Sequence, residues 1–442
     1  MTYTKPVRVG LLGIGTVGGG TYTVLARNAA EIARRTGRPI QITHVADRNL
    51  DLARQVTGGA AQVALTDDAF AVVRNPDIDV VVELIGGYGV ARELVLEAIQ
   101  NGKHVVTANK ALLAVHGNEI FAAAQEKGVT VAFEAAVAGG IPIIKALREG
   151  LAANHIEWAA GIINGTTNFI LSEMRDKGLS FAQALEEAQR LGYAEADPTF
   201  DIEGIDAAHK ATLIAAIAFG IPIQFDKAHV EGITQLEAAD IRYAGQLGYR
   251  VKLLGIARRR AHGVELRVHP TLVPEKRLLA NVEGAMNAVL VKADAVGATL
   301  YYGKGAGAEP TASAVIADLV DVARASAIAP NLRVPHLAFQ PDQLRSDLPI
   351  LPIDEAETAF YLRLVVEDKL GVLADVTRIL ADEGLSIDAL RQREPEEGEG
   401  KTDIIILTHV CKEKQANAAI ARIEKLAAVT EKVTRLRLES LQ

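Results

Sequence analysis

Short apolar runs recur through the first 137 residues, and each is followed by a stretch whose apolar positions carry helical spacing. VRVGLL (7–12), PIQITHVA (39–46), DIDVVVELI (77–85), KHVVTA (103–108) and GVTVAFEAAV (128–137) read as strands. The near-continuous apolar character of the third is what a sheet buried on both faces requires. Segments from about Thr16, around 67–75, ARELVLEAIQNG (91–102) and a stretch ending near Lys127 read as the intervening helices. This alternation predicts a Rossmann-type, doubly wound parallel sheet. The long interval between Gly18 and Asp47 predicts one extended first helix.

The pattern changes after residue 135. Gly139-Gly140 before Ile141-Pro142 marks a tight turn, and a helix follows to about residue 150. HIEWAAGIIN (155–164) reads as a strand, Asn164-Gly165 as a turn, and NFILSEMRDKG (168–178) as a helix capped by Thr166 or Thr167. LSFAQALEEAQRLGYAE (179–195) has helical periodicity, and Pro198 ends it, leaving Glu195, Asp197 and Asp201 in irregular backbone. GIDAAHKATLIAAIAFG (204–220) is a further helix. Residues 241–274 then alternate as strands around the basic turn ARRRAHG, whose arginines read as solvated. Strands continue through 287–307, and a glycine-rich turn opens a helix at about Pro310 that returns to the first unit. Trp158 reads as packing.

Beyond a proline- and acid-containing connection, YLRLVVED, KLGVLADVTRILADEGL, SIDALRQR, TDIIILTHVC, KEKQANAAIARIEKL and EKVTRLRLES alternate as β-α-β-β-α-β. EPEEGEGK (394–401) reads as a solvated hairpin tip. The expected fold class is therefore α/β with three parts. Residues 1–135, with 308–340 returning to them, form the nucleotide-binding domain. Residues 136–307 form an α+β catalytic and dimerisation domain. A linker over 341–357 leads to a ferredoxin-like domain over 358–442.

Composition narrows the function classes. Of 442 residues, 49% are hydrophobic and 23% charged, as in globular chains, and several domains are expected. The longest apolar run, ATLIAAIAFGIPIQF (211–225), is too short to span a bilayer, and the N-terminal residues make a poor signal peptide. A single cysteine, Cys411, excludes an intrachain disulfide framework and fits a reducing cytoplasm. A net charge of −8 without a basic stripe argues against a nucleic-acid surface, so a small-molecule partner is expected.

Two stretches carry chemistry. Gly13, Gly15 and Gly18 fill G-x-G-x-x-G between a strand and a helix, so Gly13, Ile14, Gly15, Thr16, Val17 and Gly18 are expected to cradle a dinucleotide pyrophosphate. Asp47 at the end of the second strand suits the ribose hydroxyl of NAD, whereas Arg48 beside it suits the 2′-phosphate of NADP; the choice stays open. Gly86, Ala108 and Lys110 lie at the same carboxyl edge, and Gly305 in the later glycine-rich turn is a further position of close backbone approach. Lys110 reads either as a surface lysine or as part of a reaction centre.

The second stretch is GYAEADPTFDIEGIDAAHK (192–210). Asp206 and Lys210 are four apart and share a helix face. As an exposed pair they would contribute only roughly 0.3 kcal/mol. As a buried pair, the carboxylate would orient a lysine that donates a proton to a developing alkoxide. Upstream carboxylates could hold a substrate ammonium, and His209 competes as general acid but faces elsewhere on the helix.

GIGTVG, TANK, EAAVAGGIPI, GIINGTTNFIL, GYAEADPTFDIEGIDAAHK and GKGAGAEPTASAV occur in an order that resembles the homoserine dehydrogenases of bacteria with a C-terminal ACT domain, over essentially the whole length. The resemblance implies reversible NAD(P)H-dependent reduction of L-aspartate 4-semialdehyde to L-homoserine, on the route to threonine and methionine. It implies that Glu195, Asp201 and Asp206 bind substrate, that Asp206 also orients Lys210, that Lys210 donates the proton, and that Lys110 lies at the reaction centre. It further implies a sodium ion at Glu134, Val137, Gly139 and Ile141, a homodimer or homotetramer, and a regulatory ACT domain with threonine as its usual effector near Gly371 and Val372. The alternative for that last domain is dimerisation without a ligand.

Overall fold

The computed structural model describes residues 5–393 and 400–442; the hairpin tip expected at 394–401 falls largely outside them. Six parallel strands form the first sheet. Their order is Ala64–Thr66, Ile40–Ala46, Val7–Leu12, Val80–Glu83, His104–Thr107 and Val131–Ala132, the order of a dinucleotide-binding fold. Its central strands are fully buried at Val9, Leu11, Val81 and Val105, as their unbroken apolar runs require. Asn49, Asp68 and Asn109 cap the helices that leave the second, third and fifth strands in chain order.

The structure departs from the sequence pattern in several places. The expected long first helix is two, Thr16–Arg27 and Ala29–Thr36, broken at Asn28. The strand expected over 128–137 pairs only at Val131–Ala132, and a tight 3-10 turn takes over at Glu134–Ala136. Residues 241–246 are helical, not extended: they belong to Ala238–Gln246, whose start Glu237 and Asp240 close with a capping box. The helix expected over 179–195 stops at Arg190. Helix Ala308–Ala325 returns to the first unit, where Gly20 lets it approach so closely that a Cβ would lie 2.6 Å from the Ala308 carbonyl.

The remaining strands form one continuous sheet. Gly297–Lys304, Met286–Ala293, Ile156–Ile162, Tyr249–Arg260 and Gly263–Pro274 are antiparallel neighbours, and helix Ile205–Phe219 covers them. Next to Gly263–Pro274 lies Thr434–Leu438, followed by Glu357–Glu367, Lys401–Thr408 and Ile387–Gln392. The C-terminal β-α-β-β-α-β unit therefore extends the sheet of the middle region, through parallel pairing of Thr271 with Arg437 and Leu272 with Leu438. The expected linker is not loose either. Val264 exchanges backbone hydrogen bonds with Pro349 and Leu351, which pack over Gly263. Among the described residues, no helix is long and apolar enough to cross a membrane.

Candidate active site

Helix Ile205–Phe219 starts at Gly204, held at φ +80, and its first turn carries Asp206 into a buried position 4% exposed. Lys210 Nζ, one turn later, donates to Asp206 Oδ2 at 2.6 Å and to the Ile163 carbonyl at 2.8 Å. The helical spacing thus closes a buried pair and not a solvated one. Lys110 Nζ reaches the other carboxylate oxygen of Asp206 at 3.0 Å. Two lysines from different units converge on one carboxylate.

Lys110 is placed by a buried network at the sheet edge. Glu83 accepts from the backbone N–H groups of Ile85 and Gly86 and from the Thr107 hydroxyl. Asn109 donates to the Gly87 carbonyl and caps the helix that Lys110 opens. These bonds tie the Gly86-Gly87 loop to the TANK turn, with Ala108 half-buried between them.

The two lysines are pushed in opposite directions. The Asp206 carboxylate raises Lys110, outweighing the effect of burial. Burial lowers Lys210, aided by the positive charge of Lys110, and outweighs the attraction of Asp206. Burial works to raise the Asp206 carboxyl, but Lys210 and Lys110 overcome it and keep it ionised. Asp201 is raised by burial and by Asp206. It lies on a short helix, Thr199–Ile202, and not in the irregular backbone expected after Pro198. Glu195 is exposed, and its charge helps raise Lys110. His209 is sandwiched between Phe200 and Phe225, and burial lowers it to about 4, so it is neutral and faces away.

Asn164 was legible only as part of a turn, yet it binds both Asp201 and Asp206. It also caps helix Gly165–Lys177, the role expected of Thr166 or Thr167. The contact to Asp206 spans 42 residues, and no local pattern signals it.

The dinucleotide loop has the form its glycines predict. A Cβ on Gly13 or Gly18 would meet backbone atoms at 2.8 Å and 2.0 Å, whereas one on Gly15 would meet nothing. The Gly15 edge is thus open to a ligand, and helix Thr16–Arg27 points its free N–H groups there. Asp47 accepts from the Ile14 and Asn49 backbone N–H groups, and Arg48 is exposed without an ion-pair partner among the described residues. Gly305 does lie at a close approach, against the chain itself. The glycine gives room to the Asn287 side chain, 2.0 Å from where a Cβ would sit, and its carbonyl packs under Gly139.

Residues 13–134 match the family model described as Homoserine dehydrogenase, NAD binding domain, residues 142–320 match Homoserine dehydrogenase, and residues 360–428 match ACT domain. The chain is 63% identical to the homoserine dehydrogenase of Pseudomonas aeruginosa over 437 residues, covering 99% of this chain and 100% of that protein. The chain belongs to the homoserine dehydrogenase family. A homoserine dehydrogenase from Neisseria gonorrhoeae is 58% identical over 99% of both chains. The solved homoserine dehydrogenase of Thiobacillus denitrificans superposes with a TM-score of 0.95 at 68% identity, covering all of both chains. A hyperthermophilic archaeal homoserine dehydrogenase in complex with NADPH matches with a TM-score of 0.61 at 27% identity, covering 72% of this chain and 98% of that one.

A homoserine dehydrogenase is an oxidoreductase that interconverts L-aspartate 4-semialdehyde and L-homoserine with a nicotinamide cofactor, and this chain carries the domains for it. The C-terminal unit is an ACT domain, a module suited to an amino-acid effector.

Proposed function

We propose that Lys210 is the proton donor of this homoserine dehydrogenase and that Lys110 is its fixed cation. The convergence of both lysines on buried Asp206 carries this reading. When bound, the nicotinamide supplies the hydride that adds to the aldehyde carbon of the semialdehyde. Lys210 Nζ then gives a proton to the carbonyl oxygen and is left neutral, to be recharged from water. Lys110 stays charged and stabilises the alkoxide as it forms. Glu195 and Asp201 take the substrate α-ammonium, and Asp206 orients Lys210. In the reverse direction neutral Lys210 removes the hydroxyl proton.

The Gly13–Gly18 loop, Asp47, Gly86, Ala108, Lys110 and Gly305 are assigned to the cofactor edge. Free Arg48, beside an Asp47 already engaged by two backbone N–H groups, supports NADPH use alongside NADH. A sodium ion at Glu134, Val137, Gly139 and Ile141 is supported by one observation. Ala138 and Gly139 are both at positive φ, and no donor among the described residues reaches the Val137 and Gly139 carbonyls. Both Glu134 carboxylate oxygens accept from the Ile144 and Lys145 N–H groups, and the Glu134 and Ile141 carbonyls accept from the Val137 and Ile143 N–H groups, so these two residues would share an oxygen with the ion. The ion would fix that turn and take no part in hydride transfer.

Threonine is proposed as effector at the Gly371–Val372 turn of paired ACT domains, in a homodimer or homotetramer. The half-buried free thiol of Cys411 suits a reducing cytoplasm. The chain is divided at residues 135, 307 and 340, as the sequence pattern suggests. Lys210→Ala tests the central assignment. Semialdehyde reduction should fall by roughly 100-fold or more, while NADPH titration gives an unchanged Kd. Unaltered turnover would remove Lys210 from the mechanism. The same assay with NADH, and with added threonine, tests the cofactor and effector assignments.

A further inference from the structure

Asn164 stands at the end of strand Ile156–Ile162, just before helix Gly165–Lys177, and is 4% exposed. Its side-chain amide is saturated. Nδ2 donates to Asp201 Oδ1 at 2.7 Å and to Asp206 Oδ2 at 2.8 Å. Oδ1 accepts from the Thr167 N–H at 2.9 Å and from the Thr167 hydroxyl at 2.9 Å. Because both carboxylates can only accept and the Thr167 N–H can only donate, the amide has one orientation that satisfies all its neighbours.

A helix cap needs only the oxygen side of this group, and serine or aspartate would serve as well. The nitrogen side does something a cap does not: it binds two carboxylates of like charge, from two helices, to a single atom. Left to themselves these groups repel. One of them, Asp206, also holds both lysines.

We propose that Asn164 is a positioning residue for the reaction, its amide clamping Asp201 to Asp206 so that a second carboxylate stays beside the lysine pair and faces the substrate ammonium. The inference rests on the assignment of Lys210 as proton donor. The clamp has two consequences. It sets the distance between the ammonium-binding carboxylate and the atom that receives the proton. It also neutralises part of the mutual repulsion that raises Asp201.

The decisive variant is Asn164→Asp, which keeps the volume and the cap but replaces both donors with an acceptor. Its kcat/KM for the semialdehyde should fall roughly 10- to 100-fold near pH 8, the loss expected for hydrogen bonds to charged groups. The deficit should shrink as pH is lowered, because the introduced carboxyl regains a donor when protonated. The NADPH Kd should stay close to that of the parent, while Tm near pH 8 should fall with the introduced charge and recover together with kcat/KM as the pH is lowered. Asn164→Ser, which also caps but is too short to bridge, should show a similar loss with no recovery at low pH, and it decides the matter if the first variant does not fold. Parent-like kcat/KM in either folded variant would overturn the proposal. So would a pH-independent loss in Asn164→Asp accompanied by a matching fall in Tm, which would leave Asn164 as a cap alone. The Lys210→Ala assay is independent: its failure removes the proton-donor assignment whatever the Asn164 variants do.

Discussion

One carboxylate shared by two lysines separates their duties by electrostatics. Lys110 is 36% exposed at its side chain and is raised by Asp206; Lys210 is almost fully enclosed and is lowered by burial and by Lys110. A proton donor near working pH needs the second condition, a permanent cation the first. Reduction requires charged Lys210, so its rate should fall as pH rises through the Lys210 pKa, which lies below the ordinary 10.5. Oxidation of homoserine requires neutral Lys210 and should rise over the same limb. Lys110→Met removes a repelling charge, so Lys210 should hold its proton more tightly. The alkaline limb of kcat in the variant should move to higher pH while kcat itself falls. A limb that stays in place would show that the lysines do not sense each other. Asp206 and Lys210 were legible because a helix brings residues four apart together. Lys110 was legible as a sheet-edge residue, either a surface lysine or part of a reaction centre, and Asn164 as a turn. Their partners lie 96 and 42 residues away respectively, by the numbering of Lys110, Asn164 and Asp206, and such distances leave no periodic trace.

At the scale of elements, the glycine turn separates packing from binding. Gly18 sits against the Gly13 carbonyl, while Gly15 faces open space. Gly18→Ala should therefore lower Tm even without cofactor, by crowding helix Thr16–Arg27 against its own turn. Gly15→Ala should leave Tm unchanged and raise the cofactor KM roughly tenfold or more, because the methyl meets only the incoming pyrophosphate. Thermal melts of the apo proteins paired with cofactor titrations check both, and a Tm loss in the Gly15 variant would contradict the geometry. The same motif was the most readable part of the chain, since strand, turn and helix each carry a local signal. Helix Ala238–Gln246 was not readable. Ile241 and Tyr243 suit a strand, and the capping box that starts the helix is made by Glu237 and Asp240, outside the usual Ser or Thr pattern. Asp240 is fully buried and is held by Arg363 and Tyr361 from the ACT domain, so tertiary pairing overrides local preference there.

In the whole molecule, the ACT domain is joined to the catalytic domain by sheet pairing and by buried charge. Arg267, 1% exposed, is held by Glu439 and Glu265; Arg437 bridges Glu413 within the ACT domain and Glu231 in the catalytic domain. Removing one partner of a buried pair costs about 3–5 kcal/mol. A chain ending at Gln340 should therefore aggregate or melt well below the full chain, although shorter relatives match only 72% of this sequence. Calorimetry and light scattering check this, and a monodisperse fragment with the full chain's Tm and turnover would refute it. The ferredoxin-like order of the ACT domain was legible from alternating strands and helices. Its fusion to the catalytic sheet was not, because the acid that Arg437 of TRLRL meets in the catalytic domain, Glu231, lies 206 residues away and leaves no local signal.

That fusion also sets an order in time. Strand Thr434–Leu438 follows its neighbour Gly263–Pro274 by about 160 residues, and Glu439 follows Arg267 by a similar interval. At roughly 5–20 residues per second, a ribosome needs on the order of ten seconds or more to deliver them. Through that interval the nascent catalytic sheet carries an edge unpaired at Thr271 and Leu272 and an Arg267 held by Glu265 without Glu439, a state open to misassembly between neighbouring chains. The biosynthesis of this enzyme is thus most vulnerable just before its last strand arrives.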